Sequence, residues 1–311
     1  MIAFKWWERV TEWLKENRQY EQIRYFHEFW EKNWAADHIK YVKKAADLGY
    51  DILEFQAQPL LEMNESRMSE IKKPADDVGI ELTYSLGLDK KYDITSADES
   101  TRRGGIEYLK AIVERVAFMK GEIISGVSYE GWGSPNHIID DKSKMLDRSV
   151  TAMQEIVKTA ADYGVTYCVE SVNRFEATII NTAVEAVEYV KMVGSDNVGV
   201  LLDTYHMNIE ESSMGDAIRY AGDYLKSFHT GENNRLPPGR GHLDWDEIFK
   251  AFSDINYTGR IVCEPFVQMG GEVGRDIKVW RNLLEDTSEA NLDKEAKGLL
   301  EFQKKMAEKY A

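Results

Sequence analysis

Basic residues are too few to balance the acidic residues in this 311-residue sequence. Lysine and arginine number 39 against 54 aspartates and glutamates, which gives a net charge of −15. Proteins that bind the phosphate backbone of nucleic acids normally carry a basic surface, so that class is not expected. Histidine is also scarce, at six residues, and a site rich in histidine for several zinc ions is not expected. The composition suits an enzyme with a small-molecule substrate.

Cysteine and long apolar runs are equally scarce. The two cysteines, Cys168 and Cys263, fall in predicted buried strands, and buried free thiols in a reducing compartment account for them without a disulfide. No stretch approaches 18 consecutive apolar residues, so no membrane span is expected. Charges at Glu8 and Arg9 interrupt the N-terminal segment, unlike a signal peptide. A cytoplasmic location is therefore expected.

Four short apolar runs each stop at a residue that can bind a metal ion: Glu170, Asp203, His229 and Glu264. These stops are 33, 26 and 35 residues apart. A β-strand with its crossover helix takes about 30 residues or more, so the four runs can be consecutive parallel strands. Their C-terminal ends would then meet at one face, and TIM barrels build their active sites on that face.

Strands and amphipathic helices alternate along the whole chain, from a first strand predicted at residues 25–30. Eight strand–helix units can be counted, and such alternation is typical of a parallel sheet. No Gly-x-Gly-x-x-Gly turn follows an early strand, so nothing indicates a dinucleotide-binding fold. We predict an α/β fold, a single (β/α)8 TIM barrel in residues 23–311, preceded by a helical extension in residues 1–22.

Capping patterns predict individual helix limits. Ser96 followed by Glu99 has the form of a capping box, which predicts Ser96 as the N-cap of a helix that runs to Met119. Two closing helices are predicted at residues 276–284 and 294–310.

The four strand-end residues make an oxygen-rich set of possible ligands. Three carboxylates and one imidazole suit Mn²⁺, Mg²⁺ or Co²⁺ better than a structural zinc ion. Each residue alone could be an ordinary polar strand end, but several buried acids together are costly without a cation. Glu170 and Glu264 could face a substrate from opposite sides, remove a proton from one face of a carbon and return one to the other. A metal would stabilise the enediolate formed between these steps.

Longer motifs surround these residues. The sequence reads ESVNRFE from Glu170, LDTYHMNIEE from Leu202, FHTGENNR from Phe228, and CEPF from Cys263, with PGRG from Pro238 and DIKVWR from Asp276. They resemble the ketose 3-epimerases, the family of D-tagatose 3-epimerase and D-psicose (D-allulose) 3-epimerase among the xylose-isomerase-like barrels. The resemblance covers about residues 25–310 and is strongest from 165 to 285.

This resemblance implies a metal site and an activity. Glu170, Asp203, His229 and Glu264 would bind one divalent ion, Mn²⁺ or Co²⁺, with Mg²⁺ as an alternative. Glu170 and Glu264 would be the catalytic acid–base pair at carbon 3 of a free ketose. The family also implies a homodimer or homotetramer, with a small-molecule ketose as the only partner.

Five further residues are implied as substrate-binding. Glu176, His206 and Arg235 would hold oxygens near the reacting carbons, and arginine and histidine are donors suited to a developing oxyanion. Trp132, in the glycine-rich loop 128–140, would cover the substrate. Glu54 ends the second strand where the family also has glutamate, and structural ion pairing is its alternative.

The sequence departs from the family where the far end of the substrate would lie. Phe26 replaces an aromatic residue with a hydroxyl, the stretch from Ser85 to Leu88 replaces Gly-x-Gly-Pro, and Glu130-Gly131-Trp132-Gly133 replaces Tyr-Trp-Pro. The chemistry is therefore expected to be retained, with an altered substrate preference.

Three alternatives stay open at this point. An aldose–ketose or hydroxypyruvate-type isomerase would use the same enediolate chemistry one carbon over. A sugar-binding protein would keep the barrel and lack turnover. A DNA-repair endonuclease of the same barrel class would need a multi-zinc site, against which the charge and the few histidines argue.

Overall fold

Eight parallel strands close into one barrel in this computed structural model, which describes residues 23–26, 29–34, 37–133 and 141–310. The strand β1 pairs with both β2 and β8, and each other strand pairs with its neighbours in sequence. The strands are β1 Ile23–Phe26, β2 Ile52–Gln56, β3 Glu81–Gly87, β4 Ile123–Val127, β5 Thr166–Ser171, β6 Val198–Asp203, β7 Leu225–Thr230 and β8 Arg260–Cys263. The predicted (β/α)8 fold is confirmed. The predicted extension in residues 1–22 lies outside the described residues, so that domain division stays a prediction.

Helices follow the strands and cover the barrel. They are α1 His38–Leu48, α2 Glu65–Val78, α3 Glu99–Phe118, α4 Lys142–Tyr163, α5 Ala183–Val193, α6 Thr204–Glu210, α7 Met214–Ala221, α8 Trp245–Asp254, α9 Gly271–Asp276 and α10 Glu289–Tyr310. The helix α4 begins at its N-cap Asp141, whose carboxylate accepts a hydrogen bond from the Ser143 amide. It ends at Gly164, where φ is +69°, a conformation that favours glycine. No helix in the described ranges is long and apolar enough to cross a membrane.

One predicted helix start is wrong, and one predicted helix is absent. The N-cap of α3 is Asp98 rather than Ser96, because the Asp98 carboxylate accepts hydrogen bonds from both the amide and the hydroxyl of Thr101. Ser96 instead accepts from the Asp98 amide in the turn before the helix. The predicted helix at 276–284 is absent, since α9 ends at Asp276 and Lys278 has a φ of +62°, which breaks helical geometry.

The first strand also differs from the prediction. It ends at Phe26, and Phe29 and Trp30 are buried in a turn instead of continuing to residue 30 as a strand. Aromatic residues favour strands by composition alone, so the sequence pattern could not separate a strand from a buried turn.

Alternate side chains of the strands point into the barrel. Ile123, Cys168 and Leu201 form one apolar cluster. Because side chains in a strand alternate with a period of two, the residues two places further along β5 and β6 lie one layer nearer the C-terminal face. Those residues are Glu170 and Asp203. The apolar layer thus forms the floor beneath a polar layer.

Candidate active site

Four strand ends bring three carboxylates and one imidazole together above this floor. Glu170 is the second-last residue of β5, Asp203 ends β6, His229 lies on β7, and Glu264 directly follows β8. One ligand atom from each lies within 4.8 Å of the other three. None of the four is more than 9% exposed. The structure therefore gathers the whole predicted ligand set.

The orientation of the His229 ring fits a divalent cation. Its Nε2 atom lies 3.2 Å from Oε1 of Glu54, and its Nδ1 atom lies 3.6 Å from Oε1 of Glu264. Both ring nitrogens are buried, and neither makes a hydrogen bond among the described residues. An imidazole nitrogen without a partner, facing carboxylate oxygens, is the arrangement that a metal ion would complete. The donor set fits one divalent ion and does not distinguish between manganese, cobalt and magnesium.

Burial and close charges shift the pKa values of this cluster. Burial raises the pKa of Glu170 well above its usual range, and the carboxylates of Glu264 and Asp203 add to this effect. Burial alone would raise the pKa of Glu264, but His229 lowers it below its usual value. Burial disfavours the charged His229 ring, yet Glu264 raises the pKa of that ring well above its ordinary value. A divalent cation bound here would displace protons from the cluster, because metal ligands must be deprotonated.

Arg235 bridges two of the carboxylates from the loop after β7. Its Nη1 atom donates to Oδ2 of Asp203 at 3.0 Å and to Oε2 of Glu264 at 2.8 Å. The guanidinium lies over the rings of Tyr205 and Phe266, at 4.1 and 5.2 Å from the ring centroids. These contacts hold the buried, positively charged guanidinium of Arg235 at the edge of the predicted set of metal ligands.

Glu176, His206 and Trp132 continue the polar wall. The backbone amide of Asn173 donates to Nδ1 of His206 at 3.1 Å, and Nη2 of Arg235 lies 3.2 Å from its Nε2 atom. Burial lowers the pKa of His206, which favours the neutral ring. Nε2 lies 3.6 Å from Oε1 of Glu170. The Glu176 carboxylate accepts from Nε1 of Trp132 at 3.0 Å. All three residues line the same cavity.

Glu54 lies on β2, outside the cavity lining. It is fully buried behind His229 and does not line the cavity. Its Oε2 atom accepts from the hydroxyls of Thr83 at 3.0 Å and Ser125 at 3.2 Å. Its Oε1 atom lies 3.2 Å from Nε2 of His229, which matches the structural ion pairing left open as its alternative role. Carboxylates in this position commonly orient such rings.

A cavity of about 270 Å³ opens above the cluster. One wall carries the residues already described from β5 to β8. The opposite wall comes from the ends of β2 to β4 and includes Gln56, Gln58, Ser85, Leu86 and Val127. Sequence reasoning missed Gln56 and Gln58. A signal was present, because Gln56 follows Glu54 by two places and therefore points to the same side of its strand.

The chain is similar to several known proteins over most of its length. Residues 42–283 match the family model described as a xylose isomerase-like TIM barrel. The D-psicose 3-epimerase of Ruminiclostridium cellulolyticum is 42% identical over 283 residues, covering 91% of this chain and 97% of that protein. The D-psicose 3-epimerase of Agrobacterium fabrum is 42% identical over 277 residues, covering 89% of this chain and 96% of that protein. A crystal structure of D-psicose 3-epimerase with D-tagatose from Clostridium cellulolyticum H10 superposes with a TM-score of 0.90 at 42% identity, covering 92% of this chain and 99% of that one.

Proposed function

This chain belongs to the xylose isomerase-like TIM barrel family and, within it, to the ketose 3-epimerases, and we propose that Glu170 and Glu264 carry out its proton transfers at carbon 3. The enzyme epimerises ketoses, which makes it a carbohydrate isomerase. The observation that carries the proposal is the shared position of these two buried carboxylates with Asp203 and His229, all within 4.8 Å. Substrates of this chemistry include D-fructose and D-psicose, D-tagatose and D-sorbose, and ketopentoses.

Glu170 and Glu264 enter the site from strand ends that β6 and β7 separate. A substrate carbon between them would expose one face to each carboxylate. One carboxylate removes the proton from carbon 3, and the other returns a proton to the opposite face, which inverts that centre. A divalent metal bound by the four residues would polarise the oxygens beside the reacting carbon and stabilise the enediolate charge.

The neighbouring polar residues orient the substrate. His206 and Arg235 both face the cavity, and the guanidinium of Arg235 is a donor suited to an oxygen on which negative charge develops. Glu176 can accept a hydrogen bond from a substrate hydroxyl. Trp132 is held in place by its hydrogen bond to Glu176, and it would cover the bound sugar and exclude water.

We propose Mn²⁺ or Co²⁺ as the bound ion, with Mg²⁺ as the alternative. Hard oxygen ligands with one imidazole accommodate all three. Reconstitution of chelator-treated protein with each ion, followed by activity and affinity measurements, ranks them. Equal activity of chelator-treated and reconstituted protein would contradict a metal requirement.

The decisive experiment follows the carbon 3 proton by NMR in heavy water. D-Fructose, D-psicose, D-tagatose and L-ribulose are each incubated with metal-loaded and metal-stripped protein. Metal-dependent loss of the carbon 3 signal, with appearance of the epimer, is the expected result. Exchange at carbon 1 with an aldose product would instead indicate an aldose–ketose isomerase. No exchange with any ketose would contradict the proposed roles of Glu170 and Glu264.

Two further proposals concern the oligomeric state of the protein and its location in the cell. The family resemblance supports a homodimer or homotetramer, which light scattering of the purified protein tests. Cys168 and Cys263 are both buried free thiols, which supports a reducing compartment such as the cytoplasm. Localisation of a tagged chain in its host tests this second proposal.

A further inference from the structure

The wall opposite the metal cluster is built in two polar layers. In the lower layer, Thr83 and Ser125 donate to Glu54, which braces His229. Two places further along β2 and β3 are Gln56 and Ser85, which the sheet register pairs with each other. The period of two in a strand points them to the same side as the lower layer, and both line the cavity.

Two oxygens of this wall have no partner in the described part of the chain. They are Oγ of Ser85 and Oε1 of Gln58. Ser85 is only 6% exposed, so its hydroxyl cannot rely on bulk water. Gln58 is held in place, because its Nε2 atom donates to the carbonyl of Gly87 at 3.1 Å. Buried polar groups are normally hydrogen-bonded, and an unpartnered group beside a cavity indicates that a ligand completes it.

The position of this wall decides which part of a substrate it meets. Under the proposed function, the reacting carbon would lie between Glu170 and Glu264, on the side of the barrel formed by β5 to β8. The remainder of the sugar chain must extend across the cavity towards β2 and β3. Leu86 and Val127 contribute apolar surface there, so polar recognition at this end depends on Gln56, Gln58 and Ser85.

We propose that Gln56, Gln58 and Ser85 form a hydroxyl-binding subsite for the terminal carbon of a six-carbon ketose. This inference rests on the proposed function, since it takes the position of the reacting carbon from it. Two carboxamides and one hydroxyl can both donate to and accept from a primary alcohol. A ketose without the terminal hydroxyl would leave these groups unpaired, and sites built to bond a hydroxyl reject analogues that lack it.

The test compares a ketohexose that the enzyme epimerises with its 6-deoxy analogue. The native enzyme is expected to prefer the ketohexose by about tenfold or more in kcat/KM. Gln56→Ala and Ser85→Ala are each expected to reduce that preference by about 5- to 10-fold, since each removes one hydrogen-bonding group. Gln154→Ala, on the exposed face of α4, is the matched control and should keep the native preference. An unchanged preference in both site variants, or none in the native enzyme, would overturn the proposal.

Calorimetry separates this inference from the proposed function. Binding of the ketohexose and of its 6-deoxy analogue to metal-loaded protein is measured for the native chain and the same variants. One outcome is that no carbon 3 exchange occurs, while the ketohexose binds about tenfold more tightly than its 6-deoxy analogue and the variants abolish that difference. In that case the catalytic roles fail and the subsite stands. If exchange occurs and the two sugars bind equally well, the subsite fails and the catalytic roles stand.

Discussion

Nε2 of His229 lies 3.2 Å from Oε1 of Glu54, so a carboxylate on β2 reaches across the barrel floor to a ring on β7. The opposite nitrogen of the ring, Nδ1, lies 3.6 Å from Oε1 of Glu264. Thr83 and Ser125 hold the Glu54 carboxylate in turn. The predicted ligand set thus depends on a buried network that belongs to the other half of the barrel.

Glu54→Gln is expected to weaken metal binding about 10- to 100-fold. The amide keeps the size of the side chain but loses the charge that fixes the ring and its proton. Metal affinity is measured by competition with a chelator. Glu114→Gln, on the exposed face of α3, is the control and should bind metal as the native protein does. Native affinity in Glu54→Gln would show that this contact does not orient His229.

Glu170→Gln and Glu264→Gln are expected to lower carbon 3 exchange by about 10²- to 10⁴-fold even with saturating metal, because each removes a proton-transfer group. Asp203→Asn provides the comparison, since Asp203 is proposed as a ligand without a proton-transfer role. Its activity should recover substantially as the metal concentration rises. Metal content is measured in the same samples. Recovery of all three variants by added metal would contradict the assigned acid–base roles.

Arg235→Lys is expected to lower kcat by about 10²-fold, as loss of a donor to a developing oxyanion commonly does. Lysine keeps the charge but cannot lie flat between Tyr205 and Phe266 while it bonds Asp203 and Glu264. Steady-state kinetics with a ketose substrate measure the effect.

The control for this prediction lies in the same loop. Arg240 is paired with Glu295 at the surface, away from the cavity, so Arg240→Lys should leave kcat near the native value. Equal losses in both variants would show that the effect comes from loop structure rather than from the position of the guanidinium.

Much of the fold and the ligand set could be predicted because each rests on a local pattern. Apolar runs that stop at Glu170, Asp203, His229 and Glu264 mark strand ends, and regular spacing places parallel strand ends on one face. The partner of Glu54 could not be predicted in this way. Its partner His229 is 175 residues away, and only the closure of the barrel brings β2 and β7 together.

Competing capping residues and tertiary contacts explain the two helix predictions that are wrong. Both Ser96 and Asp98 can cap a helix, and the choice depends on which side chain reaches the free amides of the first turn. The segment after Asp276 has residues that tolerate a helix, but Leu283 bonds the carbonyl of Val267 across the loop. Tertiary contacts of this kind override helix propensity and leave no trace in periodicity.

Glu130 provides a pH-dependent test of stability away from the ligand set. Its Oε1 atom accepts from the backbone amides of Thr178 and Ile179, each at 2.9 Å. Burial raises the pKa of this carboxyl to about 7, although the two amides favour the charged form. Between the unfolded value of 4.5 and about pH 7, the folded protein therefore binds more protons than the unfolded chain.

The contribution of Glu130 to the free energy of unfolding must then fall as the pH rises through that window, and it must level off above about pH 7. At about 1.4 kcal/mol per pH unit, the total loss is about 3 kcal/mol. Glu130→Gln removes the titration, while its carbonyl oxygen can still accept from both amides. The variant should therefore gain stability relative to the native protein as the pH rises from 5 to 8. Urea unfolding at each pH gives the difference in unfolding free energy between the variant and the native protein, and the effects of the other titrating groups cancel in this difference. A difference that stays constant with pH would show that Glu130 ionises normally in the folded protein.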